Sequence, residues 1–398
     1  MAKGKIRLMK ILFVSSWYPP VLSGSSLWAK SLAHALRKRG HEVEVVTTEW
    51  AGSPNGEPDK DELRVHKLPA MVAPKTRLLM GMPDIPIAWS LANRRRMVDI
   101  VRGFKPDVIH QINHIFDSMI LSAHAARKLD VPLVGSITTP VQSTNILKYA
   151  LMHFTDKLTL YPFGVRHWRK IFCADAELAR YVYETYGEKM KDRMVTHIPV
   201  GVHEHILSGA QMERAPYPLI VMVGHVHQIR NPTNLILAMV KVREKYPDAK
   251  FIIAGRIQYE EPVNAVKRMG LEDCVKFLGL VKPSKVVELV SAATVFAIIH
   301  QMKYTSISLT SFEAMQFETP VITNAPESIY GPGVIKNGEN IILIDRDSVD
   351  QIASAMIRLL DDPNLRARIG HGGKQFVQSC LSWDRSAALT EEVYKEII

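Results

Sequence analysis

The chain has 398 residues, 47% of them hydrophobic, which is enough for an ample core and favours two domains of ordinary size over one. Its formal net charge of +10 indicates an anionic partner, and nucleic acid, anionic lipid and phosphorylated small molecules all satisfy that charge. No apolar run approaches the ~20 residues of a membrane helix. The three cysteines, Cys173, Cys274 and Cys380, are widely spaced, which argues against a disulfide framework or a structural zinc site. We therefore expect a cytoplasmic protein.

The first part of the chain alternates strand and helix patterns. The run "KILFVSS" (10–16) is too short for an export signal and predicts a buried first strand. The stretch "SLWAKSLAHALRKRG" (26–40) has apolar residues at helical spacing and ends at Gly40, which is typical of a helix C-terminus. "HEVEVVTT" (41–48) then alternates as a strand does, so a βαβ unit is predicted.

A second series of the same kind begins near residue 217. Strands are predicted by "YPLIVMVGH", "AKFIIAGR", "VKFLGLV", "TVFAIIHQ" and "TPVITN". Helices are predicted between them by "NPTNLILAMVKVREKYP" and "EPVNAVKRMG". Because parallel strands need crossover helices, the two series predict an α/β protein with two doubly wound, Rossmann-like parallel-sheet domains.

The Pro- and Gly-rich segment 199–218 shows neither a helical nor a strand period and is the predicted linker. We therefore place the first domain at 1–205 and the second at 206–382. A last helix at 383–398 is expected to pack back on the first domain.

In open parallel sheets, ligands bind where the carboxyl ends of strands lead into helix N-termini, whose N–H groups attract phosphate. Three loops of the sequence occupy that position: residues 23–25, residues 224–232 and residues 304–310. The second loop supplies His225 and Arg230, and the third leads into Glu313. Short Gly or Ser loops after strands are also common turns, so each loop is a weak signal by itself.

Other segments follow these loops in a recognisable order: "YPP..SG", "LAHALRKRGHEVEVVT", "PDVIH", "VPLVGS", "IPVGV", "VGH......NPTNLILA", "VKFLGLV", "FEAMQFETPVITN" and "GVIKNGENIILI". Together they resemble a retaining glycosyltransferase of the family-4 (group 1) type over nearly the whole chain. The resemblance implies the GT-B fold, in which two Rossmann-like domains face each other across a cleft. It places the acceptor mainly on the first domain and a nucleotide-diphosphate sugar, UDP- or GDP-linked, mainly on the second.

The resemblance also implies that no metal or other cofactor is needed, because positive side chains and a helix N-terminus neutralise the leaving diphosphate. The implied catalytic positions are Arg230, His225, Thr138 and Thr305. The implied donor-binding positions are Ser23, Gly24, His225, Arg230, Gly255, Arg256, Leu280, Val281, Thr305, Ser306, Ile307, Ser308 and Glu313. The implied acceptor-side positions are His110, His114 and Thr138.

The predicted donor site departs from the family pattern at two positions, Thr305 and His225. The family has a glutamate at each end of the loop, and Glu313 matches the second, which binds the nucleotide ribose. Thr305 stands where the first, which binds the sugar hydroxyls, is expected. The family's diphosphate-binding Arg and Lys fall on His225 and Arg230, and His225 would be cationic only if an adjacent diphosphate raised its pKa.

On the acceptor side, the histidine of many family members falls on Thr138. His110 and His114, in "VIHQINHIF", are candidates to compensate, although a histidine at a strand end is more often an ordinary hydrogen-bonded residue.

Two short motifs suggest metal binding, but each has a simpler interpretation. Asp345-Arg346-Asp347 imitates the D-x-D metal motif, and a solvated turn is favoured there. His225 and His227 are spaced as two metal ligands, yet no third ligand has suggestive spacing, so no zinc is expected.

Segments 91–105 and 146–172 mix basic, aromatic and aliphatic residues. Each is either an ordinary amphipathic helix packed on the first domain or a surface that docks on an anionic membrane beside a lipid-linked acceptor. The second possibility would make the protein peripheral on the inner face of the cell membrane.

Two functions remain open. The first is a transferase that moves a hexose from a nucleotide sugar, with retention, to a lipid-linked or cell-envelope glycan. The second is a catalytically impaired homologue that binds a nucleotide or glycan as a partner subunit. No nucleic-acid partner is expected, because the basic residues do not gather around stacking aromatics.

Overall fold

The structure is a computed structural model, and it describes residues 8–21, 23–54, 63–73, 85–143, 145–196, 200–202 and 213–398. The chain divides into two compact units. The first combines Met1–Gly201 with Trp383–Ile398, and the second is Val202–Ser382. The predicted domain boundary between residues 205 and 206 lies outside the described residues.

The first unit is built on a parallel sheet with seven strands in the described residues. In chain order, the strands of the whole unit, including two outside this sheet, are β1 (Lys10–Val14), β2 (Glu42–Glu49), β3 (Arg64–Pro69), β4 (Met71–Val72), β5 (Pro86–Ile87), β6 (Val108–Ile112), β7 (Leu133–Ile137), β8 (Ile171–Cys173) and β9 (Met194–Thr196). The sheet order is β3-β2-β1-β6-β7-β8-β9, and β4 and β5 form a separate antiparallel pair. The central strands β6 and β7 are buried at every position, as the continuous apolar pattern of a doubly covered parallel sheet requires.

The helices of this unit are α1 (Gly24–Lys38), α2 (Leu91–Phe104), α3 (Ser118–Leu129), α4 (Ile146–Thr155), α5 (Tyr161–Phe163) and α6 (Ala176–Tyr186). A π-helical turn (Asp156–Leu160) joins α4 to α5, and 3₁₀ turns cover Val165–His167 and Glu188–Arg193. Helix α1 begins at a capping box, in which Ser23 and Ser26 each accept a hydrogen bond from the other's backbone N–H. It ends just before Gly40, whose φ of 98° confirms the predicted terminus.

The second unit is a six-stranded parallel sheet in the described residues. Its strands are β10 (Leu219–Val223), β11 (Lys250–Ala254), β12 (Val275–Gly279), β13 (Val295–Ala297), β14 (Val321–Thr323) and β15 (Ile342–Leu343). Its helices are α7 (Thr233–Lys245), α8 (Glu261–Arg268), α9 (Pro283–Ala292), α10 (Leu309–Gln316), α11 (Val349–Asp361) and α12 (Pro363–Cys380). The order β12-β11-β10-β13-β14-β15 is that of a Rossmann sheet, and the strands predicted from residue 217 onward are confirmed.

The chain returns to the first unit in α13 (Trp383–Ile397). This helix packs on α1, where Arg39 Nε lies 2.9 Å from the buried carboxylate of Glu391. Tyr394 of α13 is fully buried and its hydroxyl hydrogen-bonds the ring of His110 in β6. The last helix is therefore part of the first unit's core.

Candidate functional site

In the second unit, the strand order reverses between β10 and β13, and ligands of doubly wound sheets bind at the carboxyl ends of such a strand pair. The loop after β10 and the loop after β13 meet there. Gln301 N–H donates to the carbonyl of Ile229 at 2.7 Å, and the hydroxyl of Thr310 donates to the carbonyl of Val223 at 3.0 Å. The start of α10 is thus tied to the end of β10.

Two glycines allow the backbone to approach closely at this edge. Gly224 and Gly255 both have φ of 151°, which few other residues adopt. A Cβ on Gly224 would lie 2.4 Å from Nη1 of Arg230, and one on Gly255 would lie 2.2 Å from the carbonyl oxygen of Gly224. Glycine at 224 therefore leaves room for the guanidinium of Arg230 against the backbone.

Arg230 carries a positive charge that its surroundings do not neutralise. Its Nε is buried, and no described residue accepts a hydrogen bond from it or pairs a carboxylate with its guanidinium. Burial lowers the pKa of Arg230 to about 10, so the side chain is still cationic at pH 7. Because an uncompensated buried charge is unfavourable, this position is suited to bind an anion.

The neighbouring His225 lies at the same edge of the sheet. Its Nδ1 accepts a hydrogen bond from the backbone N–H of Arg256 at 3.1 Å. Partial burial of the ring and the charges of Arg230 and Arg256 lower its pKa. The exposed Arg256 places a further positive charge at this edge of the sheet.

The loop before α10 is partly buried. Thr305 is buried, and its hydroxyl donates to the carbonyl of Met302 at 3.1 Å. Ile307 is buried as well, while Ser306 and Ser308 are partly exposed. Ser308 caps α10, because its Oγ accepts a hydrogen bond from the N–H of Ser311 at 3.2 Å.

Glu313 lies one turn into α10. Its side chain is buried, and no described residue donates a hydrogen bond to its carboxylate or pairs with it. Desolvation raises its pKa to about 8, so the carboxyl group is predominantly protonated at pH 7.

Leu280 and Val281 follow β12, and Arg256 follows β11, at the same edge of the sheet as Arg230. The side chain of Leu280 is exposed and that of Val281 is half-buried. Their role in donor binding stays a prediction.

Sequence reasoning missed His300, which ends the buried segment after β13. It is buried, its Nδ1 has no hydrogen-bond partner among the described residues, and burial with the nearby charge of Arg230 lowers its pKa to about 3. The signal that could have identified it is the polar end of the apolar run "TVFAIIHQ".

In the first unit, Thr138 follows β7, and both its N–H and its hydroxyl donate to Oδ1 of Asn113, at 3.0 and 2.5 Å. Ser23 and Gly24 begin α1 after the carboxyl end of β1. Asn113 and Thr138 therefore lie together at the carboxyl ends of β6 and β7, which are neighbours in the sheet.

His110 and His114 do not fit the suggested acceptor-side role. Both are fully buried, which lowers the pKa of each ring to about 3. His110 stacks between Phe13 and Phe172 with centroid distances of 5.1 and 5.0 Å. The ring of His114 hydrogen-bonds the hydroxyl of Tyr181 at 2.9 Å. Both are core histidines: His110 lies within β6, and His114 is buried two residues after the carboxyl end of the strand.

The two suggested metal motifs have structural roles. Residues 346 and 347 form a turn, in which the N–H of Asp347 donates to Oδ1 of Asp345 at 3.0 Å. Nδ1 of His227 accepts a hydrogen bond from the N–H of Ile229 at 3.2 Å. In the part of the chain that the structure describes, no group of three His, Cys, Asp or Glu residues could hold a metal ion.

Known families match both halves of the chain. The sequence model described as Glycosyl transferases group 1 matches residues 209–376, and that described as Glycosyltransferase Family 4 matches residues 22–205. The chain is a group 1 glycosyltransferase. The glycosyltransferase thus has the GT-B fold that its resemblance to the family implied.

Relatives and solved structures align with the glycosyltransferase over nearly its whole length. It is 24% identical to a glycogen synthase of Mycobacterium tuberculosis over 404 residues, which cover 97% of this chain and 94% of the relative. Sucrose-phosphate synthase from Thermosynechococcus elongatus has a TM-score of 0.75 at 17% identity, covering 98% of each chain. Anabaena Alr3699/HepE in complex with UDP-glucose has a TM-score of 0.73 at 14% identity, covering 98% of this chain and 100% of its own. Because curated relatives that align over nearly the whole chain are named as a glycogen synthase and a mannosyltransferase, the catalytically impaired alternative is not favoured.

Among the described residues of the glycosyltransferase, no helix combines the length and the apolar character needed to cross a bilayer.

Proposed function

We propose that this enzyme transfers a hexose, with retention and without a metal ion, from a UDP- or GDP-linked sugar to a lipid-linked or cell-envelope glycan at an anionic membrane surface. The observation that carries the proposal is the partly buried guanidinium of Arg230 at the switch point of the second unit, with which no described carboxylate pairs. A diphosphate is the anion that such a site in a Rossmann sheet suits best. The structure of HepE with UDP-glucose supports a nucleotide sugar as the donor.

In this proposal, Arg230 binds the diphosphate. As the bond between the anomeric carbon and the phosphate oxygen breaks, negative charge grows on the diphosphate, and a fixed guanidinium in a partly dry site stabilises it. Arg256 adds a second, exposed positive charge, and the first backbone N–H groups of α10 add donors. No other cofactor takes part. The acceptor binds to the first unit near Thr138.

Glu313 is the proposed ligand of the ribose hydroxyls. Its side chain is largely buried and no described residue donates a hydrogen bond to its carboxyl, so two ribose hydroxyls would give the carboxyl the partners that the protein does not. Glu313→Ala should therefore weaken binding of nucleotide and nucleotide sugar alike. If it binds nucleotide as well as the parent does, Glu313 has a structural role only.

The test of the diphosphate site compares Arg230→Ala with the parent enzyme by calorimetric titration of UDP, GDP and the corresponding nucleosides. Loss of a charge-assisted contact should weaken diphosphate binding by about tenfold or more and leave nucleoside binding within about twofold. Arg243→Ala is the matched control, because Arg243 pairs with Asp273 at 2.8 Å in the same unit and should change neither. Equal losses for diphosphate and nucleoside would reject the assignment.

A further inference from the structure

Helix α4 presents its apolar residues outward. Leu147, Leu151, Phe154 and Leu158, the last in the following π-helical turn, are spaced by four, three and four residues and form one stripe. Their side chains are 79%, 48%, 62% and 55% exposed, in that order. None of the ten residues of α4, all of them described, is buried. Water therefore contacts the face that an ordinary amphipathic helix packs against the core.

The inward face of the same segment is anchored by a carboxylate. Asp156 is 1% exposed, and it accepts hydrogen bonds from the hydroxyls of Tyr186, at 2.8 Å, and Tyr181, at 3.2 Å. Tyr161, at the start of α5, stacks on Tyr186 with a centroid distance of 5.2 Å. Turning the apolar stripe inward would expose Asp156 and break these bonds, so the orientation of the helix is fixed by its anchor.

The charged residues on the surface of segment 146–172 are all basic. Between residues 146 and 172 the basic residues are Lys148, Lys157, Arg166, Arg169 and Lys170, and the single acidic residue is the buried Asp156. Of these cations, Lys170 pairs with Glu396 of α13 at 3.5 Å and is not counted toward the docking surface. Lys189 adds a further cation 4.5 Å above the ring of Tyr161. An apolar stripe bordered by cations complements an anionic lipid surface.

The other basic segment of the first unit behaves differently. Helix α2 buries Met97, Val98, Val101 and Phe104, so its apolar face packs in the ordinary way. Of the two alternatives that the sequence left open, packing therefore applies to α2 and not to α4.

We propose that the docking helix, defined as residues 146–160, inserts its apolar stripe into the headgroup region of an anionic bilayer. The proposal deepens the proposed function and rests on it for the lipid-linked acceptor. The docking helix begins eight residues after Thr138 along the chain, so the proposed membrane contact and the proposed acceptor position are close in sequence.

The experiment is co-sedimentation of the full-length protein with vesicles of phosphatidylcholine alone or of phosphatidylcholine with phosphatidylglycerol. The parent should bind the anionic vesicles and be released as salt increases, because charge attraction is screened over ~10 Å at ~0.1 M salt. The double variant Leu147→Ser and Phe154→Ser should lose at least about tenfold in vesicle affinity. Met269→Ser removes a 45% exposed side chain from the second unit and should bind vesicles as the parent does.

Three further results separate the outcomes. The double variant should bind UDP like the parent, so a failure of docking is distinguishable from a failure of the donor-site proposal. Lys148→Glu with Lys157→Glu should weaken binding to anionic vesicles selectively, because it reverses charge and keeps the apolar stripe. Equal vesicle binding by the parent and the double variant would overturn the proposal, as would a dimer that the double variant abolishes, which would assign the stripe to a second copy of the chain.

Discussion

Glu313→Gln is expected to make the protein more stable at neutral pH, although it removes a charge-bearing group from the candidate site. Burial raises the pKa of Glu313 to about 8 in the folded state, from an ordinary value of 4.5. The folded state therefore holds the proton more tightly than the unfolded chain does. The stability that this confers is fully present below pH ~4.5 and is lost as the pH rises towards ~8.

The magnitude follows from proton linkage. Between these two pKa values, the free energy of unfolding falls by about 1.4 kcal/mol for each pH unit through this one group. Glutamine has nearly the same shape as a protonated glutamate and does not titrate, so the variant lacks this loss. The difference in stability between variant and parent should therefore grow by about 3 kcal/mol between pH ~5.5 and pH ~7.5.

The assay is urea unfolding of parent and variant in parallel at several pH values, with the difference in unfolding free energy plotted against pH. A difference that grows in favour of the variant by about 3 kcal/mol between pH ~5.5 and pH ~7.5 supports a neutral, unpartnered carboxyl. A constant difference, or a variant that is less stable at pH ~7.5, would mean that Glu313 is ionised and paired in solution. Glu313→Ala, which removes the hydrogen-bonding group, should bind UDP more weakly at the same pH, and this separates the ribose contact from the stability effect.

Four further outcomes are expected. Gly224→Ala should weaken UDP binding about tenfold by calorimetry and spare uridine, because the new Cβ would lie 2.4 Å from Nη1 of Arg230. Gly135→Ala should destabilise the first unit by about 3 kcal/mol in urea unfolding, since its Cβ would lie 2.2 Å from the ring of the buried Trp168. Thr305→Glu should change the relative rates with different donor sugars in a donor-panel assay and leave UDP affinity nearly unchanged. EDTA should leave nucleotide-sugar binding unaltered in a thermal-shift assay, and a strict magnesium requirement would contradict the metal-free proposal.

The sequence predicted the architecture well because burial on both faces of a parallel strand leaves continuous apolar runs such as "KILFV" and "LIVMV". It also located the loops of the candidate site, since Gly224 and Arg230 follow a recognisable strand. The sequence could not predict which of the polar and apolar side chains are buried. Apolar periodicity shows that a helix has two faces and not which one points inward, so α2 and α4 looked equivalent. For the same reason, the depth of His110, His114 and Glu313 became apparent only from the packing around them.

The return of α13 to the first unit has a consequence for biosynthesis. The first strand of the first unit starts at residue 10, but the core of this unit also includes residues 383–397 of α13. The ribosome translates α13 only after the whole of the second unit. On the ribosome, the second unit can complete its sheet while the ring of His110 still lacks the hydroxyl of Tyr394. A fragment that stops at Gly201 should therefore be prone to aggregation, whereas a fragment covering Val202–Ser382 contains all the strands of its own sheet.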